Sequence, residues 1–180
     1  MRKLRNEELN RLTGQEFRGA PKSDVIVILD NIRSMNNIGS VFRTSDAFRV
    51  NAIFLCGITA RPPHREIQRT ALGATESVQW EYFDKTENAV LSAKDKGYKV
   101  VVVEQTTNSK SLEEFIFNPD ESYAFVFGNE LSGVDEQVLP LADSAVEIPQ
   151  FGTKHSFNIA VSAGIVLWQW FISVGADKLK

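Results

Sequence analysis

Four short runs in this chain are apolar at nearly every position: Val25-Ile-Val-Ile-Leu29, Ala52-Ile-Phe-Leu55, Val100-Val-Val-Val103 and Tyr123-Ala-Phe-Val-Phe127. A strand with one wet face alternates polar and apolar residues, whereas a run without alternation is dry on both sides. Helix-like stretches separate the runs: Asn37 to Phe48 opening on Gly39, Pro62 to about Leu72 starting on its prolines, and Asp84 to Lys96 capped by Gly97. Weaker strands are expected at 77–80 and 144–148, short helical turns at 111–115 and 134–139, and a closing helix from Ser156 to Val174. Strands alternating with helices imply an α/β domain, a mostly parallel sheet with helices on both faces. Such sheets collect ligands at the carboxyl ends of their strands.

The length of 180 residues suits one such domain, residues 23–180, preceded by a basic helical arm at 1–22. The net charge of −3 argues against a strongly polyanionic partner, but its distribution does not. The arm carries Arg2, Lys3, Arg5, Arg11, Arg18 and Lys22 against three glutamates, and Arg61, His64, Arg65 and Arg69 form a second basic group. Each cluster suits phosphate binding, or is a solvated helix face. The one cysteine, Cys56, excludes an intramolecular disulfide framework and a cysteine-rich metal site, and reads as a buried reduced thiol in a cytoplasmic protein. The polar N-terminus does not read as a signal peptide, and the C-terminal apolar run, interrupted by Gln169, reads as too short for a membrane span.

Three polar turns that follow expected strands carry the candidate chemistry. In the first, Asn37 and Gly39 open a helix with Arg43 one turn deeper, an arrangement that suits an anion, or a surface arginine paired with Asp46. The second, Phe127-Gly-Asn-Glu-Leu-Ser-Gly133, has the glycine spacing of a phosphate loop but lacks its lysine, so it reads as a bend presenting Asn129 and Glu130. The third, Ile148-Pro-Gln-Phe-Gly-Thr-Lys-His-Ser-Phe-Asn158, places small polar residues before an apolar helix, with Ser156 or Asn158 as its N-cap. Helix N-termini leave N–H groups free for a ligand, and small residues let it come close. No metal constellation accompanies them.

Taken in order, the three segments resemble the signature motifs of the SpoU, or TrmH-like, branch of the SPOUT RNA 2′-O-methyltransferases, over about residues 24 to 173; Leu72-Gly-Ala-Thr75 adds to the likeness. The resemblance implies a deep C-terminal trefoil knot, S-adenosyl-L-methionine (SAM) as cofactor, RNA as substrate and a homodimer formed through the knotted region. Carried over by residue, it implies a cofactor pocket of Gln105, Thr106, Phe127, Gly128, Asn129, Glu130, Ile148, Gln150, Phe157 and Asn158. It also implies a catalytic group of Arg43, Asn37, Glu130, Ser156 and Asn158, and RNA contacts from Arg2, Lys3, Arg5, Arg11, Arg61, Arg65 and Arg69. Gln150, together with Val103-Glu-Gln-Thr106, is similar to the eukaryotic tRNA guanosine-18 enzymes, so tRNA is favoured over rRNA. A catalytically silent RNA- or SAM-binding module is the alternative of another class.

The reaction so implied is attack of a ribose 2′-oxygen on the methyl group of SAM, with the thioether leaving. In the family the motif-one arginine is held to be the base. Deprotonating a guanidinium of ordinary pKa at neutral pH costs roughly 7–9 kcal/mol. Arg43 is therefore expected to orient phosphate and stabilise developing alkoxide charge.

Overall fold

The unalternating apolar runs lie at the centre of a seven-stranded sheet. The structure, a computed structural model, describes residues 1–179. Its strands are β1 (Ser23–Asp30), β2 (Val50–Cys56), β3 (Gln79–Phe83), β4 (Tyr98–Val103), β5 (Lys110–Ser111), β6 (Ser122–Phe127) and β7 (Ser144–Glu147). They lie in the order β3-β2-β1-β6-β4-β7-β5, and every pairing is parallel. The strands predicted at the four runs are all present. Successive residues of β1 serve opposite cores: Val25, Val27 and Leu29 face one, Ile26 and Ile28 the other. β6 divides likewise, Tyr123, Phe125 and Phe127 against Ala124 and Val126.

The helices are α1 (Gly14–Gly19), α2 (Met35–Ala47), α3 (Arg65–Ala71), α4 (Ala74–Ser77), α5 (Thr86–Asp95) and α6 (Ile159–Trp170). α2, α3 and α6 cover the first core through Ile38, Phe42, Ile67, Ala163, Leu167 and Trp170. α5 covers the second with Ala89, Val90 and Ala93. α6 continues through a π turn, Phe171–Gly175, and a last turn, Ala176–Lys178. Gly175 permits this, because a Cβ there would fall on the Trp170 ring. The unbroken helix, Ile159–Lys178, is 20 residues long and contains a stretch of 18 with a mean hydropathy of 1.7, so by length and composition it is long and apolar enough to cross a membrane, contrary to the expectation from the sequence. Its inner side nonetheless packs into the first core.

Several boundaries differ from the sequence reading. α3 starts at Arg65 rather than Pro62, because His64 is extended (φ −142°, ψ 135°) and its Nδ1 accepts the Glu66 N–H. α2 starts at Met35 rather than Asn37, because Ser34 is its N-cap. The expected helical turn at 111–115 begins as β5, which is held to the edge of β7 by two register pairs, Lys110 with Val146 and Ser111 with Glu147. Between Val134 and Leu139 there is no α-helix; turns lead to a 3-10 turn at Leu139–Leu141. The expected strand at 77–80 starts later, at Gln79, after α4. The N-terminal arm contains a 3-10 turn, Asn6–Leu9, and α1, and it is pinned by the buried ring of Phe17 beneath the Lys22 ammonium.

Candidate active site

Backbone geometry in the connections after three strands brings the three polar turns together. At the first, the Ser34 hydroxyl accepts the Asn37 N–H (3.3 Å) and sets the start of α2. A Cβ on Gly39 would strike Thr70 Oγ1 and the Ile67 carbonyl, so glycine lets α2 lie directly on α3. At the second, the bend after β6 closes on itself: the backbones of Asn129 and Gly133 exchange hydrogen bonds of 3.1 and 3.0 Å. The Asn129 Oδ1 accepts the N–H groups of Leu131 and Ser132. At the third, Asn158 is the N-cap of α6, its Oδ1 accepting the Ala160 N–H (2.9 Å). Ser156 is not the cap.

Side chains from the three turns form one relay. The Asn158 Nδ2 donates to Asn37 Oδ1 (3.1 Å), and the Asn37 Nδ2 donates to Glu130 Oε1 (2.7 Å). These bonds join residues 121 and 93 positions apart in sequence. Their polarity follows from Glu130, which as a carboxylate only accepts, so Asn37 must offer its NH2 there and its oxygen to Asn158.

Beside the relay a crevice of about 650 Å³ opens over the carboxyl ends of β4, β6 and β7, within the range of small-molecule sites. Gln105, Phe127, Gly128, Asn129 and Glu130 line it from one side. Ile148, Gln150, Ser156 and Phe157 line it from the other. Gln105 also spans the crevice, its Nε2 donating to the His155 carbonyl (3.2 Å). Thr106 is not among the lining residues and is instead tied into a local turn with Ser109.

Arg43 lies outside the crevice of its own chain. It is exposed on α2 and makes no hydrogen bond or ion pair with the described residues. Asp46, its candidate surface partner, accepts the Ser77 hydroxyl instead (2.5 Å). In the arm, Lys3, Arg5 and Arg11 are exposed, but Arg2 is engaged by Glu8 through two bonds of 2.9 and 2.6 Å. That guanidinium, and next the Arg5 N–H, hold the Glu8 carboxyl below the usual range. Arg61 lies 4.4 Å over the Tyr82 ring, and Arg65 and Arg69 line a second hollow with Glu66.

The family profile of the "SpoU rRNA Methylase family" matches residues 24–168. The chain belongs to this family. A relative from Aquifex aeolicus, a tRNA (guanosine(18)-2′-O)-methyltransferase, is 30% identical over 152 residues, covering 82% of this chain and 69% of that protein. A 23S rRNA (guanosine-2′-O-)-methyltransferase, RlmB, from Neisseria meningitidis is 30% identical over 143 residues, covering 79% of this chain and 56% of that one. The AdoMet-bound rRNA methyltransferase of Sinorhizobium meliloti superposes with a TM-score of 0.76 at 26% identity, over 87% of this chain and 59% of the other. A tRNA enzyme described by the 2-OH methylation of C/U34 superposes with a TM-score of 0.72 at 25% identity, over 83% of this chain and 95% of that one.

Further residues of this SpoU-family crevice and its surroundings escaped the sequence reading, among them Glu104, Lys154 and Asp30. Glu104 lines it and accepts the Val134 N–H (3.1 Å) and the Gln105 N–H (3.0 Å). Lys154 places a cation at its rim. Asp30, buried behind it, accepts the Asp135 N–H (2.7 Å). A charged residue ending an apolar strand was the one available signal for Asp30 and Glu104.

Proposed function

We propose that the protein transfers the methyl group of SAM to a ribose 2′-hydroxyl of RNA, with tRNA as substrate and guanosine-18 as target. The observation that carries this reading is the relay Asn158–Asn37–Glu130. It ties the three motif segments together at the mouth of a crevice large enough for one cofactor. Family membership and the two 2′-O-methyltransferase relatives support the same chemistry. The 2′-oxygen bonds to the methyl carbon as the carbon–sulfur bond breaks, the thioether departs neutral, and the hydroxyl proton leaves to Glu130 or solvent. Asn37 and Asn158 hold Glu130 in place. The free guanidinium of Arg43 orients an RNA phosphate and stabilises the developing alkoxide.

The reading includes the C-terminal trefoil knot, a homodimer through that region, and a cytoplasmic location. In favour of the homodimer, Val161, Trp168 and Ile172 leave an apolar stripe exposed along α6 and the π turn that continues it, and the exposed Phe157 precedes it. The exposed cations Lys3, Arg5, Arg11, Arg65 and Arg69 would meet phosphate, whereas Arg2 would first have to leave Glu8. Ribosomal RNA is the second substrate reading, favoured by the 23S rRNA relative at the same 30% identity.

Calorimetry with SAM, followed by a filter assay with tritiated SAM and separate tRNA and rRNA pools, tests the proposal. Saturable SAM binding and label in tRNA at a 2′-O-methylguanosine are expected. Label confined to rRNA would replace the substrate, label at position 34 would replace the target nucleotide, and absence of SAM binding would refute the reading.

A further inference from the structure

The loop that carries Glu130 leaves β6, and β6 lies between β1 and β4. Both neighbours end in a carboxylate: Asp30 is the last residue of β1, and Glu104 follows the last residue of β4. Two consecutive amides beyond the loop are shared between them. The Val134 N–H donates to Glu104 Oε2 (3.1 Å) and the Asp135 N–H to Asp30 Oδ2 (2.7 Å). One short segment is thus gripped from the strands on either side of its own.

Each carboxylate is itself fixed. Glu104 Oε1 accepts the Gln105 N–H (3.0 Å), and Asp30 Oδ1 accepts Asn31 Nδ2 (2.8 Å) and the Thr86 hydroxyl (2.5 Å). Gly133 has φ +69°, and a Cβ there would fall on the Glu104 carboxylate. The bare glycine is what lets the carboxylate reach Val134. Apolar packing does little for this loop, since Glu130 is exposed and Leu131 is 76% exposed. Hydrogen bonds to ionised acceptors are about twice as strong as neutral ones, so these two anchor the loop together with its internal bridge and the Asn37 bond to Glu130.

From this geometry the structure assigns Glu104 and Asp30 as positioning residues, a two-sided carboxylate clamp that holds the Gly128–Gly133 wall of the crevice and the place of Glu130 in its relay. The assignment rests on the reading of the crevice as a SAM site. Neither residue needs to touch the reacting atoms.

The test compares Glu104→Ala, Glu104→Gln and Glu104→Asp in the full chain. Losing the bonds to Val134 and Gln105 should weaken SAM binding about 10- to 100-fold in Glu104→Ala, with the KM for RNA unchanged. Glu104→Gln keeps an oxygen for Val134 but turns its NH2 on the Gln105 N–H and should recover part of that loss, whereas Glu104→Asp keeps the charge but withdraws it by one methylene and should not. Amide exchange gives a readout independent of the cofactor: protection at Val134 should fall in Glu104→Ala and Glu104→Asp and persist in Glu104→Gln. The Asp135 amide, held by Asp30, should stay slow in all three. Unchanged Val134 exchange in both Glu104→Ala and Glu104→Asp, or equal loss of SAM affinity in Glu104→Ala and Glu104→Gln, overturns the clamp. Should Glu104→Ala not fold, Glu104→Asp against Glu104→Gln decides. If the wild-type protein binds no SAM, the functional reading fails, and the clamp stands or falls on amide exchange alone.

Discussion

Asn158 has two jobs in one side chain, and two substitutions separate them. Its Oδ1 caps α6 by accepting the Ala160 N–H, and its Nδ2 donates to Asn37, which in turn holds Glu130. Asn158→Ala removes both. Loss of an N-cap costs about 0.5–2 kcal/mol, and the exposed amide–amide bond adds about 0.5 kcal/mol, the low end for a neutral pair. For a chain of this size that corresponds to a fall in Tm of roughly 2–10 °C. Asn158→Asp keeps the cap and places a negative charge at a helix N-terminus, where it is favourable by about 0.3–1 kcal/mol. However, the introduced carboxylate only accepts, and it would face the Asn37 oxygen. If the Asn37 amide flipped to answer it, that oxygen would face Glu130 instead. Asn158→Asp should therefore melt within about 2 °C of wild type yet lose methyl transfer about 10- to 100-fold. Thermal melts by circular dichroism and single-turnover transfer from tritiated SAM measure the two effects. Wild-type transfer by Asn158→Asp would show that the relay has no role in the reaction, and a melting loss equal to that of Asn158→Ala would show that the cap is not the source of the stability.

Arg43→Ala should abolish most methyl transfer while SAM affinity stays at the wild-type value in calorimetry; near-wild-type turnover by Arg43→Lys would remove any special role for the guanidinium. Gly39→Ala brings a methyl group against the Ile67 carbonyl on α3, and overpacking of about 1–3 kcal/mol should outweigh the gain in helix propensity of about 1 kcal/mol, lowering the urea midpoint; a variant as stable as wild type would contradict the close helix contact. Burial pushes the Cys56 thiol up to about 12, with Asp30 and Glu87 adding to the effect against a Thr86 hydrogen bond. A folded pKa raised above the unfolded value contributes stability that is complete below the unfolded value near 9 and is lost as pH rises toward 12. Urea titrations from pH 8 to 11 should show that decline (~8–11), and Cys56→Ser should flatten it. At neutral pH the native thiol should resist disulfide exchange reagents until the protein unfolds.

The sheet was legible because its central strands are dry on both faces, which only a parallel, doubly covered sheet requires. β5 was not, since two residues become a strand solely by lying along β7. The turns from Val134 to Leu139 look helical in sequence because Val134 and Val138 are one turn apart, yet both simply face the second core. In the site, glycine spacing exposed the loop at 128–133 and the polar segment before α6. The relay itself was invisible, because its bonds join side chains that only the fold makes neighbours. Asn158 carried a local signal as a capping residue, whereas Glu104 looked like a solvated charge after a strand. Arg43 follows Gly39 by four residues and is exposed outside the crevice of its own chain, while Asn37 at the helix start is what faces Glu130.

The five-residue winding at Phe171–Gly175 inserts one position into the register of the last helix, a rotation of about 100° for everything beyond it. With that offset the Lys178 ammonium meets Asp24 (2.8 Å) and the Leu179 carbonyl meets Arg49 (2.7 Å), latching the helix end to the opposite rim of the sheet from Asn158. Deleting a single residue there would regularise the spiral and keep the latch, whereas rewinding the same residues as a perfect α-helix would aim Lys178 away from its counter-charge.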